Sequence, residues 1–532
     1  MLLKRPALAL GLAVLLLLAP SLILGTQLSH SSSLNLNWAL QFAAQFRAGI
    51  LYPRWMPDSF GGLGSPAFYF YPPLPFWLDA LVSVLSFDVL SVQYRLVVTS
   101  ALILWASGLA MHAWLRAETG DAHASSIGAL LYIAAPYHLF DHYIRGAFAE
   151  FTAFATLPLV MLALNGIARR RQGGAILLAV GYAMLLLSHL PTALLASATL
   201  FPAYALWRVR RPIELLVGGA LGIGLAAIYV APAMLLQDWI SAEWLWSSFY
   251  RIDAWSFLLP SRWPDPGIMR VVVPLTISYA LAALAIVAHR RAIGFWTATC
   301  LVCLLLISGV VPWFWQLPQL EKVQFPWRLL TVAEFALVTG LCVSPRLVPR
   351  GIALWLLAGA AIALAWAGTV IVGDTAQYIA LGRQYSPLPR FDTQEYQPHG
   401  FPGATTESNG MSGLRRATSA PLIACNPEPR VCRATQGAFG ALDIEIEGDM
   451  PTTAAVHRFY FPAWRLTPSL PIVATDPLRL VSFTAPPGRT TVKLDRTMLP
   501  VERWSAVVSA VSLLLVLILA MAERRSSAQR TQ

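Results

Sequence analysis

Residues Gly49 to Trp77 read GILYPRWMPDSFGGLGSPAFYFYPPLPFW. Prolines and glycines forbid a regular helix here, because proline removes a backbone donor and glycine carries a high entropic cost. The stretch also holds Arg54, Asp58 and many backbone polar groups that lipid cannot hydrogen-bond. It is expected to lie outside a bilayer, ordered against other parts of the chain. Its surroundings are the opposite: one long apolar run after another.

The 532 residues are 57% hydrophobic and only 12% charged, more apolar surface than a soluble fold of this size can bury. The formal charge of +11 is not spread as a nucleic-acid footprint. It falls in short runs between apolar segments: 169–171, 208–211, 289–291, 346–350 and 524–525. That is the positive-inside pattern, a topology signal, and no nucleic-acid partner is expected.

Apolar segments lie near 6–27, 97–115, 125–142, 151–168, 174–190, 192–207, 213–234, 270–288, 293–310, 327–343, 351–373 and 503–522. Each is long enough, at roughly 17 to 23 residues, to cross the hydrocarbon core. The predicted fold is mainly α, a polytopic membrane protein with about twelve transmembrane helices. Placing the basic runs in the cytoplasm puts both termini there. The first external loop then runs from about 28 to 96. Parity makes 75–92, with Asp79 and Asp88, an interfacial or re-entrant helix. Within the same loop, Asn37–Arg47 spaces Trp38, Phe42 and Phe46 as an amphipathic helix suited to the bilayer surface. A later external loop, Gln237–Arg270, carries Trp239, Trp244, Trp246, Trp255 and Trp263, which serve either as interface anchors or as stacking groups.

Three parts follow: a transmembrane part at 1–373, a β-rich external domain at 374–502, and a last helix with its tail at 503–532. In the second part, ALDIEIEGD, AAVHRFYFPAW, LRLVSFTA and TTVKLD alternate as strands do, and PPG marks a turn. The segment 374–420 has weak periodicity and is expected to form an irregular cover. Cys300, Cys303 and Cys342 fall in apolar helices and read as buried free thiols. Cys425 and Cys432, in CNPEPRVC, can close a short disulfide loop in an oxidising compartment.

Ionisable groups at the membrane are costly, so they are the candidates for function. The run Asp141–Glu150, DHYIRGAFAE, gathers two carboxylates, a histidine and an arginine between two helices. Carboxylates there act as general base or hold a divalent cation, and Arg145 grips phosphate in a bidentate fork. A polar loop that merely caps two helices has the same composition. Glu150, Asp141 and Asp58 are the catalytic candidates. Tyr52, Arg54, Trp55, Arg145, His189, Arg328 and Glu334 are the candidates for substrate binding.

The motifs YPRWMPDSFGGLGSPAFYFYPPLPFW, IRGAFAEF, SHLPTA and FPWRLL, in that order, resemble bacterial membrane proteins described as 6-pyruvoyl-tetrahydropterin-synthase-related. These in turn resemble the GT-C glycosyltransferases, multi-helix membrane enzymes with an external β domain. HRFYFPAWRL followed by PPG and a final helix resembles the matching C-terminal part. The resemblance implies transfer of a sugar from a polyprenyl-phosphate donor on the external face, using a carboxylate of the first loop. The region Ser29–Trp38, where that acid is expected, contains none. Either Asp58 replaces it, or Asp141 and Glu150 act alone, or the chain binds lipid or glycan without catalysis. No histidine cluster suits a pterin-synthase zinc site. A transporter is the weaker alternative, because no pair of broken symmetric helices is visible.

Overall fold

The computed structural model describes residues 5–25, 29–210, 212–344, 350–382, 392–401 and 421–530. Among these, eight helices are long and apolar enough to cross a membrane. They are Val92–Thr119, Phe148–Ala168, Leu190–Arg208, Ile213–Leu235, Pro266–Arg290, Pro326–Val343, Ile352–Ala380 and Pro500–Arg525. Four shorter apolar helices, Pro6–Leu17, Leu74–Leu85, Gly174–Ser188 and Phe295–Ile307, accompany them.

Three of the twelve expected spans are not continuous; one of them, 192–207, is interrupted at Thr199 between Leu190–Ala198 and Leu200–Arg208. The segment 6–27 breaks at Leu18 into Pro6–Leu17 and Ala19–Leu24. The segment 125–142 stops at Ile133 and resumes as Pro136–Phe140, followed by one π-helical turn at Asp141–Arg145. Pro136 has no amide to donate and pushes Ala135 into an extended conformation, so the helix cannot run through. Single π turns concentrate at functional sites, and this one carries the acidic and basic pair of the DHYIR run.

Small residues let two helices touch backbone to backbone. Gly218 and Gly222 face Gly174–Ser188 so closely that an added Cβ would sit 2.7 Å from the Ala175 carbonyl oxygen and 3.0 Å from that of Ala179.

The stretch 49–77 lies at the helix ends opposite the basic runs and is well ordered. Met56 and Ser65 exchange two backbone hydrogen bonds, at 2.8 and 3.0 Å. The adjoining helix Ser32–Arg47 differs from expectation. Trp38 and Phe42 are buried, and so are Asn35, Asn37, Gln41 and Gln45 on its other sides. A surface-lying helix would wet those amides. Here distant parts of the chain satisfy them: Asn35 donates to the Gly146 carbonyl (2.7 Å), Gln45 donates to that of Trp55 (2.8 Å), and Gln41 accepts from the Asp58 amide (2.7 Å). Leu74–Leu85 closes the loop, with buried Asp79 held 2.9 Å from Arg95 Nε.

Eight strands form two four-stranded antiparallel sheets: β1 (Ile423–Asn426), β2 (Val431–Gln436), β3 (Leu442–Gly448), β4 (Thr452–Phe459), β5 (Trp464–Thr467), β6 (Val473–Ala474), β7 (Leu480–Ala485) and β8 (Gly488–Arg496). The sheet orders are β1-β4-β7-β6 and β2-β3-β8-β5. Alternate residues of β3 and β8 face inward, which is the period of two that marks a sandwich. Cys425 and Cys432 are joined by a disulfide between β1 and β2. Cys300 and Cys303 are buried free thiols, and Cys342 is a half-buried one. Helix Ile352–Gly382 runs past the expected boundary at 373, and the final helix starts at Pro500. Of the expected cover 374–420, residues 383–391 and 402–420 lie outside the described residues.

Candidate functional site

The π turn, the start of Phe148–Ala168, the Ser188–Leu190 break and the 3-10 turn Pro326–Leu329 meet at one buried place. Arg145 Nη1 is its hub. It donates to Asp141 Oδ1 (2.5 Å), Glu150 Oε2 (2.7 Å) and the Tyr137 hydroxyl (3.3 Å). Tyr137 in turn donates to Glu150 Oε1 (2.7 Å). Arg328 Nε lies 3.4 Å from Glu150 Oε2, and its Nη1 donates to the Val323 carbonyl at 2.5 Å. Phe325 lies against both guanidiniums, 5.9 Å from Arg145 and 4.9 Å from Arg328. Trp327 stacks on Phe325, and Trp255 from the tryptophan-rich loop meets Trp327 edge-on at 4.6 Å. His189 hydrogen-bonds Thr192 (2.7 Å) and is close enough to Glu150 to feel its charge.

A second buried centre lies beneath the first. Glu334 Oε1 pairs with His138 Nδ1 (2.7 Å), while Oε2 accepts from Tyr279 (2.5 Å) and from the Tyr137 amide (3.3 Å). Three protein donors thus occupy Glu334, and Tyr137 bridges the two centres.

The structure brings Glu150, Asp141, Arg145, His189 and Arg328 together, with Glu334 one residue deeper. It does not bring Asp58, Tyr52, Arg54 or Trp55 to them. Asp58 is exposed, and its backbone amide donates to Gln41. Arg54 Nε is held by Glu502 Oε1 at 2.9 Å and its guanidinium lies 3.9 Å from the Tyr52 ring. Trp55 packs edge-on against Trp464 of β5 at 5.2 Å. Arg54 and Trp55 bind the stretch 49–77 to the final helix and the sandwich, because the chemistry near each is already taken by a neighbouring element.

With this geometry in view, residues 68–379 match the family described as "6-pyruvoyl-tetrahydropterin synthase related domain; membrane protein". The chain belongs to this family. No curated protein and no solved structure matches it. The matched region contains every member of the charged cluster and ends in Ile352–Gly382, short of the sandwich. It begins after Tyr52, Arg54, Trp55 and Asp58, in keeping with their separate place in the fold.

Among the described residues, no three His, Cys, Asp or Glu side chains converge as a group able to hold a metal ion. Asp141 and Glu150 are instead spent on arginines, so they do not offer the shared carboxylate cage a divalent ion requires. Tyr137, which links the cluster, was not foreseeable from the apolar periodicity of 125–142. Pro136, directly before it, was the available signal.

Against Trp38 and Phe70 runs Asp392–Phe401. Tyr396 meets Trp38 at 5.9 Å and stacks on Phe70, and Asp392 accepts from Trp38 Nε1 (3.2 Å). The backbone is pinned by Ser241, whose amide donates to the Gln397 carbonyl at 2.8 Å. Burial pushes Asp392 up to about 6. An acid raised in the folded state contributes stability that is complete below its unfolded value, about 4, and is lost as pH rises through about 6. Hydrogen exchange of 392–401, corrected for intrinsic rate, is therefore expected to be slower at pH 5 than at pH 7.5. Asp392→Asn is expected to reduce that difference, leaving the share of Glu395, which burial pushes up to about 7, and an unchanged difference would show that Asp392 is not a source.

Proposed function

We propose that the chain takes a polyprenyl-phosphate-linked sugar at the external face of a bacterial inner membrane and transfers the sugar to an external acceptor. One observation carries this reading. The side chains of Arg145 and Arg328 remain 9% and 11% exposed, whereas Asp141 and Glu150 behind them are 0% and 1% exposed. The two arginine side chains are therefore the more accessible members of the cluster, held in place by buried carboxylates. Paired guanidiniums match the oxygens of a phosphate, and Phe325 between them offers an apolar face. Asp141 and Glu150 are the candidate bases, each held by Arg145. In this reading the sandwich serves to recognise the acceptor.

Membranes supplied with the lipid-linked sugar test the reading. Asp141→Asn is expected to lower transfer by on the order of 10²–10⁴-fold, the usual contribution of a general base, with donor binding retained. Unchanged transfer would remove Asp141 from the mechanism. A second reading, a lipid- or glycan-binding assembly protein without catalysis, is favoured by the depth of both carboxylates and by the acid-free run Ser29–Trp38. It predicts that the wild-type chain binds donor with no turnover.

A further inference from the structure

Asp141 has a second side, turned away from Arg145. A cavity of about 40 Å³ opens there, between the turn Asp141–Gly146, the start of helix Ser32–Arg47 and the outer end of Val92–Thr119. Its polar lining is Asp141, Asn35, His142 and the serines 29, 32 and 100, and Leu96, Val97, Phe148 and Phe151 complete the wall. Two buried acceptors in this lining, Asn35 Oδ1 and Asp141 Oδ2, have no hydrogen-bond partner among the described residues. Asn35 and Asp141 are 6% and 0% exposed. The orientation of Asn35 is fixed, because its Nδ2 donates to the Gly146 carbonyl at 2.7 Å, so its oxygen is the atom left over. Backbone hydrogen bonds tie the first loop to the turn along this wall: His30 and Ser31 amides donate to the Ile144 and Arg145 carbonyls at 3.1 and 3.0 Å. Gly146 is required there, since a Cβ at its φ of +59° would lie 2.4 Å from Ser29 Oγ.

Buried acceptors left without donors cost free energy, and these two share one small chamber. We infer that this chamber is a binding site for a small monovalent cation of the sodium class. Its ligands are the Asp141 carboxylate oxygen, the Asn35 amide oxygen and serine hydroxyls. Oxygen-only ligands select hard cations. The charge count selects a monovalent one: Asp141 supplies a single carboxylate, already partly neutralised by Arg145, too little to offset the dehydration of a divalent ion. The volume suits one ion with a water or two, at about 10–15 Å³ for each water-sized occupant. An ion here bridges the first loop to the π turn, and so holds Asp141 beside Arg145.

The test is thermal unfolding of the purified full chain, with sodium chloride exchanged for choline chloride at constant ionic strength. Sodium is expected to raise Tm saturably by several degrees, and choline is not. Asn35→Leu and Ser100→Ala are expected to shrink or abolish the sodium-dependent part. Asn35→Asp adds a carboxylate to the site and is expected to move the sodium midpoint to lower concentration, which separates a lost site from a misfolded chain. The same Tm in both salts, or a sodium effect unchanged in all three variants, would overturn the site and leave the chamber to water. Donor binding and transfer are not needed for any of these readouts, so the site fails or stands independently of the proposed activity.

Discussion

Glu150→Gln is expected to produce the largest loss of any single substitution in the charged cluster. Glu150 accepts from Tyr137 and Arg145 and lies beside Arg328, with only 1% of its side chain exposed. Glutamine keeps the shape and removes the charge, which leaves two guanidiniums facing Asp141 alone. Breaking one partner out of a buried ion pair costs about 3–5 kcal/mol, because the surviving charge stays desolvated. The variant should therefore melt well below the wild type, lose affinity for a polyprenyl phosphate, and lose transfer. A melting temperature and lipid affinity equal to wild type would mean that Asp141 alone holds both arginines. Tyr137→Phe, which removes one neutral donor, should cost far less, about 0.5–1.5 kcal/mol.

The second large effect lies at the base of the final helix. Glu502 binds Arg54 through Oε1, while its Oε2 accepts from the Leu499 amide (2.7 Å) and the Tyr69 hydroxyl (3.2 Å). Both charged side chains are only 6% exposed, and Arg54 Nη1 already has no partner among the described residues. Glu502→Ala leaves Arg54 with the Ile228 carbonyl and the Tyr52 and Tyr69 rings, an expected loss of about 3–5 kcal/mol. The 49–77 stretch should then become sensitive to limited proteolysis, since Arg54 and Trp55 are adjacent anchors of the same loop. The double variant Arg54→Met, Glu502→Leu removes both charges and should recover most of the loss. Equal destabilisation in the single and double variants would show that packing, not the uncompensated charge, sets the effect.

How far the sequence reached depended on the kind of signal. Composition and hydropathy were enough for a helical membrane protein, and alternation was enough for β3, β4, β7 and β8, because both patterns are local. The DHYIRGAFAE run with His189 and Arg328 was legible for a related reason: costly charges at helix ends have few places to go other than to each other. The helix break before Tyr137 is hidden in the sequence, since Ala134 to Phe140 is mostly apolar and of its residues only Pro136 signals a break. The burial of Ser32–Arg47 was hidden because its amides are satisfied by Gly146, Trp55 and Asp58, which nothing in its own periodicity identifies. Arg54 and Asp58 were drawn to the wrong neighbours for the same reason. The partner of Arg54, Glu502, lies some 450 residues along the chain.

The central claim is that Arg145 and Arg328 present a phosphate-binding edge while buried carboxylates hold them in place. Native mass spectrometry of the full chain with a polyprenyl phosphate, compared with the same lipid lacking phosphate, tests it most directly. Binding should require the phosphate, fall by at least tenfold in Arg328→Ala, and be only partly restored by Arg328→Lys, which cannot form the planar fork. Equal binding of the phosphate-free lipid, or full affinity in Arg328→Ala, would contradict it.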